Sequence, residues 1–382
     1  MKKPEARHSD VIVVGGGIMG ASSAFFLARR GLSVRLIERD LVGQAASGTN
    51  FGNVRRQGRW LHQLPLSLRA HAIWQRLPEL IGEDCEYVKR GHLRAAYTPE
   101  FVDKIETYAR DARDCGLDLE VLSTNMLRDR FPYLGPEITA GVWDREGGHA
   151  NPRLTAPAFG RAAVREGVDL MENAEVTGVT RNGGDFIVEI EGKGEFRAPV
   201  LLVTAGAWGG RLSTMFAEPV PIEVAGPGMA VTEPLPYRIE PSISMAVGTT
   251  YETVYFRQVE RGNIVIGGST RGPASIYSKR AKVIPGNVIG QMEQIRRMMP
   301  AFARVNIIRV WSGVESYFAD DVPVMGPSGT TAGLFYAFGF CGAGFQVGPG
   351  VGDVMAQLIA TGATDTPLAP YSITRFAGYR PA

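Results

Sequence analysis

Hydrophobic and polar positions fall into a small set of periods along the chain. Residues 10–14, DVIVV, form a short apolar, β-branched run, the pattern of a strand buried on both faces of a parallel sheet. Residues 21–30 then read as a helix, Gly31 ends it, and residues 32–37 form a second strand. Residues 65–80 and 99–114 have helical period. In the second of these Phe101, Ile105, Tyr108 and Ala112 share one face and charges the other, which is plain packing. A further helix follows His149 and stops at Gly167. Residues 172–208 read as strands around two glycine turns, closing on a buried strand at 200–204. Residues 218–300 are rich in alternating strands, YETVYFRQVERGNIVIGGST the clearest, with one helix near 287–298. The end of the chain, LFYAFGFCGAGFQVGPGVGDVMAQLIATG, reads as a strand, a glycine loop and a helix beginning near Val351.

Between the first strand and its helix, Gly15, Gly17 and Gly20 complete G-x-G-x-x-G. One glycine makes the tight turn, the next lets backbone approach a pyrophosphate, and the third lets helix and strand pack closely. The amides and dipole at the helix start favour phosphate. Glu38 ends the second strand, where a carboxylate can accept hydrogen bonds from a ribose and repels a 2′-phosphate. Strand, glycines, helix, strand and acid in this order predict a bound dinucleotide. They leave open whether it is a nicotinamide cofactor that comes and goes or a flavin that stays.

Composition narrows the classes. The chain has 382 residues, enough for two domains, and 41 Lys plus Arg against 39 Asp plus Glu, so no nucleic acid or anionic membrane is implied as a partner. The opening MKKPEARHSD lacks the apolar segment of a secretory signal, and no apolar run reaches the roughly 18 residues of a membrane span. Cys85, Cys115 and Cys341 are far apart and show no metal-ligand spacing, so no metal site is expected and a reducing compartment, the cytoplasm, fits them.

Four separated blocks then decide the cofactor: residues 15–38, AASGTNFGNVRRQ at 45–57, VLLVTAGAW at 200–208, and VWSGVESYFADDVPVMGP with the terminal glycine loop. In these the chain resembles the D-amino-acid oxidase superfamily of FAD enzymes. It is most similar to the flavoprotein subunits of heteromeric amine dehydrogenases: sarcosine oxidase β, hydrogen cyanide synthase, hydroxyproline dehydrogenase and opine oxidase. The resemblance implies an α/β fold like that of glycine and sarcosine oxidases. A discontinuous Rossmann-like FAD-binding domain would comprise residues 1–85, 145–217 and 318–382, and a β-rich α+β substrate-binding domain residues 86–144 and 218–317.

The resemblance also assigns residues. Gly15, Gly17, Ile18, Met19 and Gly20 would hold the pyrophosphate, Glu38 and Arg39 would flank the adenosine ribose, and Val176 would offer backbone to the adenine. Ala45, Ser47, Asn53 and Gly313 would lie near the flavin, and Ala205, Gly206 and Trp208 along the pyrophosphate. The loop Gly342, Ala343, Gly344, Phe345 and Gln346 would present amides to the flavin N1/O2 edge, where reduction places negative charge. The activity implied is oxidation of a C–N bond, with the α-hydrogen passing to flavin N5 and the resulting imine hydrolysing. Cys341 precedes Gly-Ala-Gly, unlike the cysteine that tethers flavin in monomeric sarcosine oxidases, so non-covalent FAD is expected.

Substrate residues are drawn from two places. Glycine-oxidase-like relatives carry an arginine after W-x-G-x that grips the substrate carboxylate; here WSGVES puts Glu315 there, which disfavours a simple α-carboxylate and favours a cationic group, as in an opine. Glu315 could equally turn outward or pair with Arg309 or Arg257. Tyr251, Tyr255 and Arg257 lie on the strand expected to roof the flavin, as substrate contacts or as packing residues. Arg55 and Arg56 follow the flavin-facing loop and suit a second cofactor's phosphate, a partner surface or ordinary pairing. The expected partners are a small amine or amino-acid substrate, such as an opine, an N-methyl amino acid or hydroxyproline, and further subunits carrying FMN or an iron–sulfur cluster. A self-sufficient oxidase, a NAD dehydrogenase and a non-enzymatic assembly subunit are the competing readings.

Overall fold

A computed structural model describes residues 7–247 and 252–381. Tyr251 lies outside the described residues. The strand Val11–Val14 is buried along its whole length because parallel neighbours flank it, Val34–Ile37 on one side and Val200–Val203 on the other. Six strands form this sheet in the order 324–327, 334–338, 200–203, 11–14, 34–37, 169–171, all parallel except the edge strand Val324–Pro327. Side chains alternate between two cores. Val11, Val13, Val34 and Leu36 pack under the helices Ile18–Ala28, Pro152–Arg165 and Gly344–Thr361. Ile12, Val14, Leu201 and Val203 pack under the three-stranded sheet that contains Phe186, Val188 and Phe196. A sheet covered on both faces needs unbroken apolar strands, which is the run read at 10–14.

The second large sheet has ten strands. Its order is 307–312, 223–234, 263–275, 252–258, 242–246, 92–96, 140–144, 120–122, with Arg280–Ala281 and Glu315–Tyr317 paired alongside. Strands from two distant stretches meet where His92–Ala96 pairs in parallel with Ser242–Ala246. Helix Pro285–Met298 covers the apolar face of this sheet.

Helix boundaries differ from the periodic reading in three places. The first helix begins at Ile18, with extended Gly17 as its cap, three residues before Ala21. Residues 65–80 are two helices, Leu64–Trp74 and Leu77–Ile81, because Arg76 leaves helical geometry ahead of Pro78. The last helix begins at Gly344 rather than near Val351 and contains Pro349. Its glycines are there for contact, not for looseness. A Cβ on Gly352 would stand 2.3 Å from Ser22 Oγ, and Ser22 Oγ donates to Gly348 O at 3.0 Å. The first and last helices therefore touch at backbone distance.

Gly352→Val should prise these helices apart and destabilise the protein by about 1–3 kcal/mol or more, the range for an overpacked core. Urea unfolding of the variant should show a lower midpoint; an unchanged midpoint contradicts the close approach.

Candidate active site

The two sheets enclose a cleft of about 530 Å³, within the usual size of a small-molecule site. Two helix N-termini open into it. Gly15, Gly17, Ile18 and Met19 line one part, and Gly342, Ala343, Gly344, Phe345 and Gln346 another. Neither helix has a side-chain cap on its first residue or an acid in its first turn, so both present amides and a positive dipole end to the cleft. The earlier start of the last helix makes residues 344–346 its first turn rather than a loop ahead of it.

At the nucleotide end Glu38 Oε2 accepts from Gly16 N at 2.6 Å and Oε1 from Asp40 N at 2.8 Å. Burial raises its pKa above the ordinary value although both hydrogen bonds oppose this. The Arg39 guanidinium lies 4.1 Å above the Trp208 ring, and both line the cleft with Val176, Ala205 and Gly206. A strap from the other sheet crosses this end: Trp208 Nε1 donates to Ile276 O at 2.9 Å, and Lys279 Nζ lies 3.6 Å from Glu175 Oε2.

Midway, Ala45, Ser47 and Asn53 line the cleft. Ser47 Oγ accepts from Ile18 N at 2.9 Å, tying this turn to the first helix. Asn53 Oδ1 is buried with no hydrogen-bond partner among the described residues. A buried acceptor left open is costly unless a ligand donor meets it. The orphaned acceptor, the two open helix ends and the glycine cradle fit a dinucleotide with a flat polar ring.

Several glycine and arginine assignments need correction. Gly20 packs behind the lining, where a Cβ would meet Gly15 O at 1.8 Å, as the close-packing glycine should. Gly313 also stays out of the cleft: it sits against Thr49, while Trp311 Nε1 donates to Thr49 O at 2.8 Å, so the W-x-G stretch braces the 45–49 turn from outside. Arg257 is buried but faces away, donating to Phe51 O at 2.9 Å and contacting His149 Nδ1 at 3.3 Å. Arg56 takes the pairing alternative, in an internal ion pair with buried Asp144, while Arg55 lines the cleft and folds back onto Gln57 O and Gly58 O (2.8 Å for the latter).

At the far end Tyr255 and Glu315 line the cleft. Glu315 is 9% exposed and does not pair with Arg309 or Arg257; its Oε2 accepts from Tyr317 Oη at 2.7 Å. Arg271 lies 3.5 Å above the Tyr317 ring. Burial pushes the Glu315 pKa up against the opposing pull of Tyr317 and Arg271. Sequence reasoning missed Tyr317 and Arg271, and it missed Arg59. Strand alternation from Glu315 would have found Tyr317. Arg59 lines the cleft, donates to Ala343 O at 3.1 Å, and keeps its Nε buried without a partner; burial first, then Arg55, lowers its pKa to about 9.

Among the described residues no histidine lines the cleft. His92 is pushed down to about 3 and His71 to about 4, by burial in each case, so both stay neutral at pH 7. Cys341 lines the cleft, but burial raises its thiol to about 12 and its Sγ accepts from Phe318 N at 3.3 Å. No helix among the described residues is long and apolar enough to cross a membrane.

The family model described as "FAD dependent oxidoreductase" (DAO) matches residues 10–358. The sarcosine oxidase beta chain of Rhizobium meliloti (strain 1021) is 27% identical over 383 residues, covering 98% of this chain and 90% of that one. An opine oxidase subunit of Rhizobium meliloti is 26% identical, covering 96% of this chain and 97% of its own. The crystal structure of glycine oxidase from Geobacillus kaustophilus superposes with a TM-score of 0.88 at 24% identity, covering 96% of this chain and 99% of that chain.

Gly17→Val would push a side chain toward Ser47 Oγ, 3.0 Å from the added Cβ, and into the cradle. The folded variant should purify without bound nucleotide; normal nucleotide content would contradict the assignment.

Proposed function

From the chain's membership of the DAO family of FAD dependent oxidoreductases, to which it belongs, we propose that it is the catalytic subunit of a heteromeric dehydrogenase for an amino-acid-derived secondary amine. It is an FAD-dependent amine or amino-acid oxidoreductase. The observation that carries the finer reading is the far end of the cleft, where a buried carboxyl stands in place of a carboxylate-binding guanidinium.

FAD would be held non-covalently by the glycine cradle, Glu38, Arg39, Val176 and the last helix's first turn, all of which line the cleft, and would supply hydride acceptance there. The protein's part is to hold the amine, exclude water and tune charge. The open N-terminus at Gly344 and the Arg59 guanidinium put positive charge at one place, which stabilises an electron-rich ring. Glu315 repels an α-carboxylate and attracts a cationic part of the substrate, while Arg59 and Arg271 are cleft cations placed to meet a carboxylate elsewhere on it. The raised thiol of Cys341 makes a poor nucleophile for attaching a flavin, which supports a dissociable cofactor. The domain division at residues 1–85, 145–217 and 318–382 against 86–144 and 218–317 belongs to the same reading, with the cofactor on the first unit and the substrate roofed by the second.

The subunit role rests on two relatives named as parts of larger enzymes, a sarcosine oxidase and an opine oxidase. Electrons would leave to a partner carrying FMN or an iron–sulfur cluster, since three separated free cysteines cannot hold a four-cysteine cluster.

Mixed anaerobically with opines, N-methyl amino acids, hydroxyproline and glycine, the protein should lose its flavin absorbance with a secondary amine and turn over slowly with oxygen alone. Rapid peroxide formation by the isolated chain would favour a self-sufficient oxidase. Glu315→Arg should lower KM severalfold for glycine or sarcosine, whose carboxylate fits the new fork, with flavin content unchanged. No change in the ranking of substrates would show that Glu315 does not select them.

A further inference from the structure

An amine substrate reaches the protein at neutral pH as an ammonium ion. Its lone pair must be free before the adjacent carbon can give up a hydride, so a proton has to leave nitrogen first. The described histidines are placed away from the cleft, and a different acceptor is needed if the enzyme is to work well below the amine's own pKa.

We propose that Glu315 is that acceptor: its carboxylate takes the N–H proton of the bound ammonium, leaving a neutral amine and a protonated Glu315 held by Tyr317. This rests on the reading of the cleft as a site of amine oxidation, and identifies the cationic group that Glu315 meets as the reacting nitrogen itself. One proton moves from nitrogen to a carboxylate oxygen, the N–H bond pair stays on nitrogen, and no electrons are exchanged.

The geometry supports the role. Glu315 is buried yet lines the cleft, and its Oε2 lies 3.4 Å from where a Cβ on Gly342 would stand, immediately beside the last helix's first turn. Among the described residues its one hydrogen-bond partner is Tyr317, at 2.7 Å through Oε2, and no cation lies within ion-pair distance. The second oxygen is therefore unspent. A carboxyl committed to a guanidinium would be too weak a base; one left in a half-dry cleft is stronger. Four elements bring titratable or charged groups to this end of the cleft, and of these groups Tyr317 and Arg271 act on the Glu315 carboxyl. Tyr317 shares its strand, Tyr255 comes from Glu252–Gln258, Arg271 from Asn263–Ser275, and Cys341 from the turn before the last helix. On the paired strand Ala225 opposes Glu315 and Glu223 opposes Tyr317. Burial raises the carboxyl, and Tyr317 and then Arg271 pull it down. Because the folded pKa lies above the ordinary carboxylate value, acceptor capacity is lost as pH falls through that raised value and is intact above it.

The test is the pH dependence of flavin bleaching in single-turnover anaerobic mixing of the FAD-loaded chain with a secondary amine. The wild-type rate should fall only on the acid side. In Glu315→Gln the rate should drop about 100-fold to 1,000-fold at pH 7, within the usual span for a general base, and climb about tenfold per pH unit toward the amine's own pKa. Glu315→Asp should recover part of the loss. Tyr317→Phe removes a donor to the charged form, so its acid limb should move to higher pH. Flavin content and visible spectrum should match wild type in each. A Gln variant that keeps the wild-type profile, or loses the same factor at every pH, overturns the proposal. Should the Gln variant fail to hold flavin, an unmoved acid limb in Tyr317→Phe overturns it instead. A wild-type chain bleached by no amine overturns the amine-oxidation reading itself, a distinct result.

Discussion

The site depends on one close contact, the packing of the last helix across the first. Gly348 sits on Ile18 and Gly352 on Ser22, with Cβ-to-atom spacings of 2.8 and 2.3 Å that any side chain would break. This contact joins residues more than 300 positions apart, and Ser22 Oγ to Gly348 O fixes its register. Its consequence is electrostatic. Two helix N-termini are brought to one cleft, so one set of open amides can meet a pyrophosphate and another an electron-rich ring.

Charge inside the protein is arranged around that pair. The stretch after the 45–49 turn folds inward, its strand Asn53–Val54 pairing with Gly148–His149. Arg56 then meets buried Asp144, and Glu252 lies 3.9 Å from Arg55 and 3.3 Å from fully buried Arg94. Breaking such a buried pair is destabilising by about 3–5 kcal/mol because a lone buried charge remains. Arg59 lines the cleft as Arg55 does, but among the described residues no carboxylate lies within ion-pair distance of it, and its Nε is unmet. A cleft wall that keeps an unmet guanidinium Nε and an unmet Asn53 carbonyl is built for a ligand, and the helix ends say that the ligand is rich in acceptors.

Much of this was legible in the residues. Residues 10–38 carry their structure locally, because strand, turn and helix signals lie next to one another and each glycine has a steric reason. Glu315 was legible as a departure, and the structure puts it in the cleft. The start of the last helix was not, since glycine and proline argue against a helix locally and tertiary contact with Ser22 overrides them. Arg257 and Gly313 misled for a related reason. For Arg257, strand alternation says which face it takes but not that Phe51 reaches over to occupy it; Gly313 was carried over by resemblance, and here Thr49 fills the space beside it. Arg59 and Arg271 are brought to the cleft by long-range folding, and nothing in their neighbours marks them.

The claim on which the rest stands is that this cleft holds one dissociable FAD per chain. Denaturing the purified protein and weighing both the released cofactor and the polypeptide tests it most directly. FAD should appear in the supernatant at one per chain, with a polypeptide of unmodified mass. A colourless protein that takes up a nicotinamide dinucleotide instead, or flavin remaining on the precipitated chain, would contradict it.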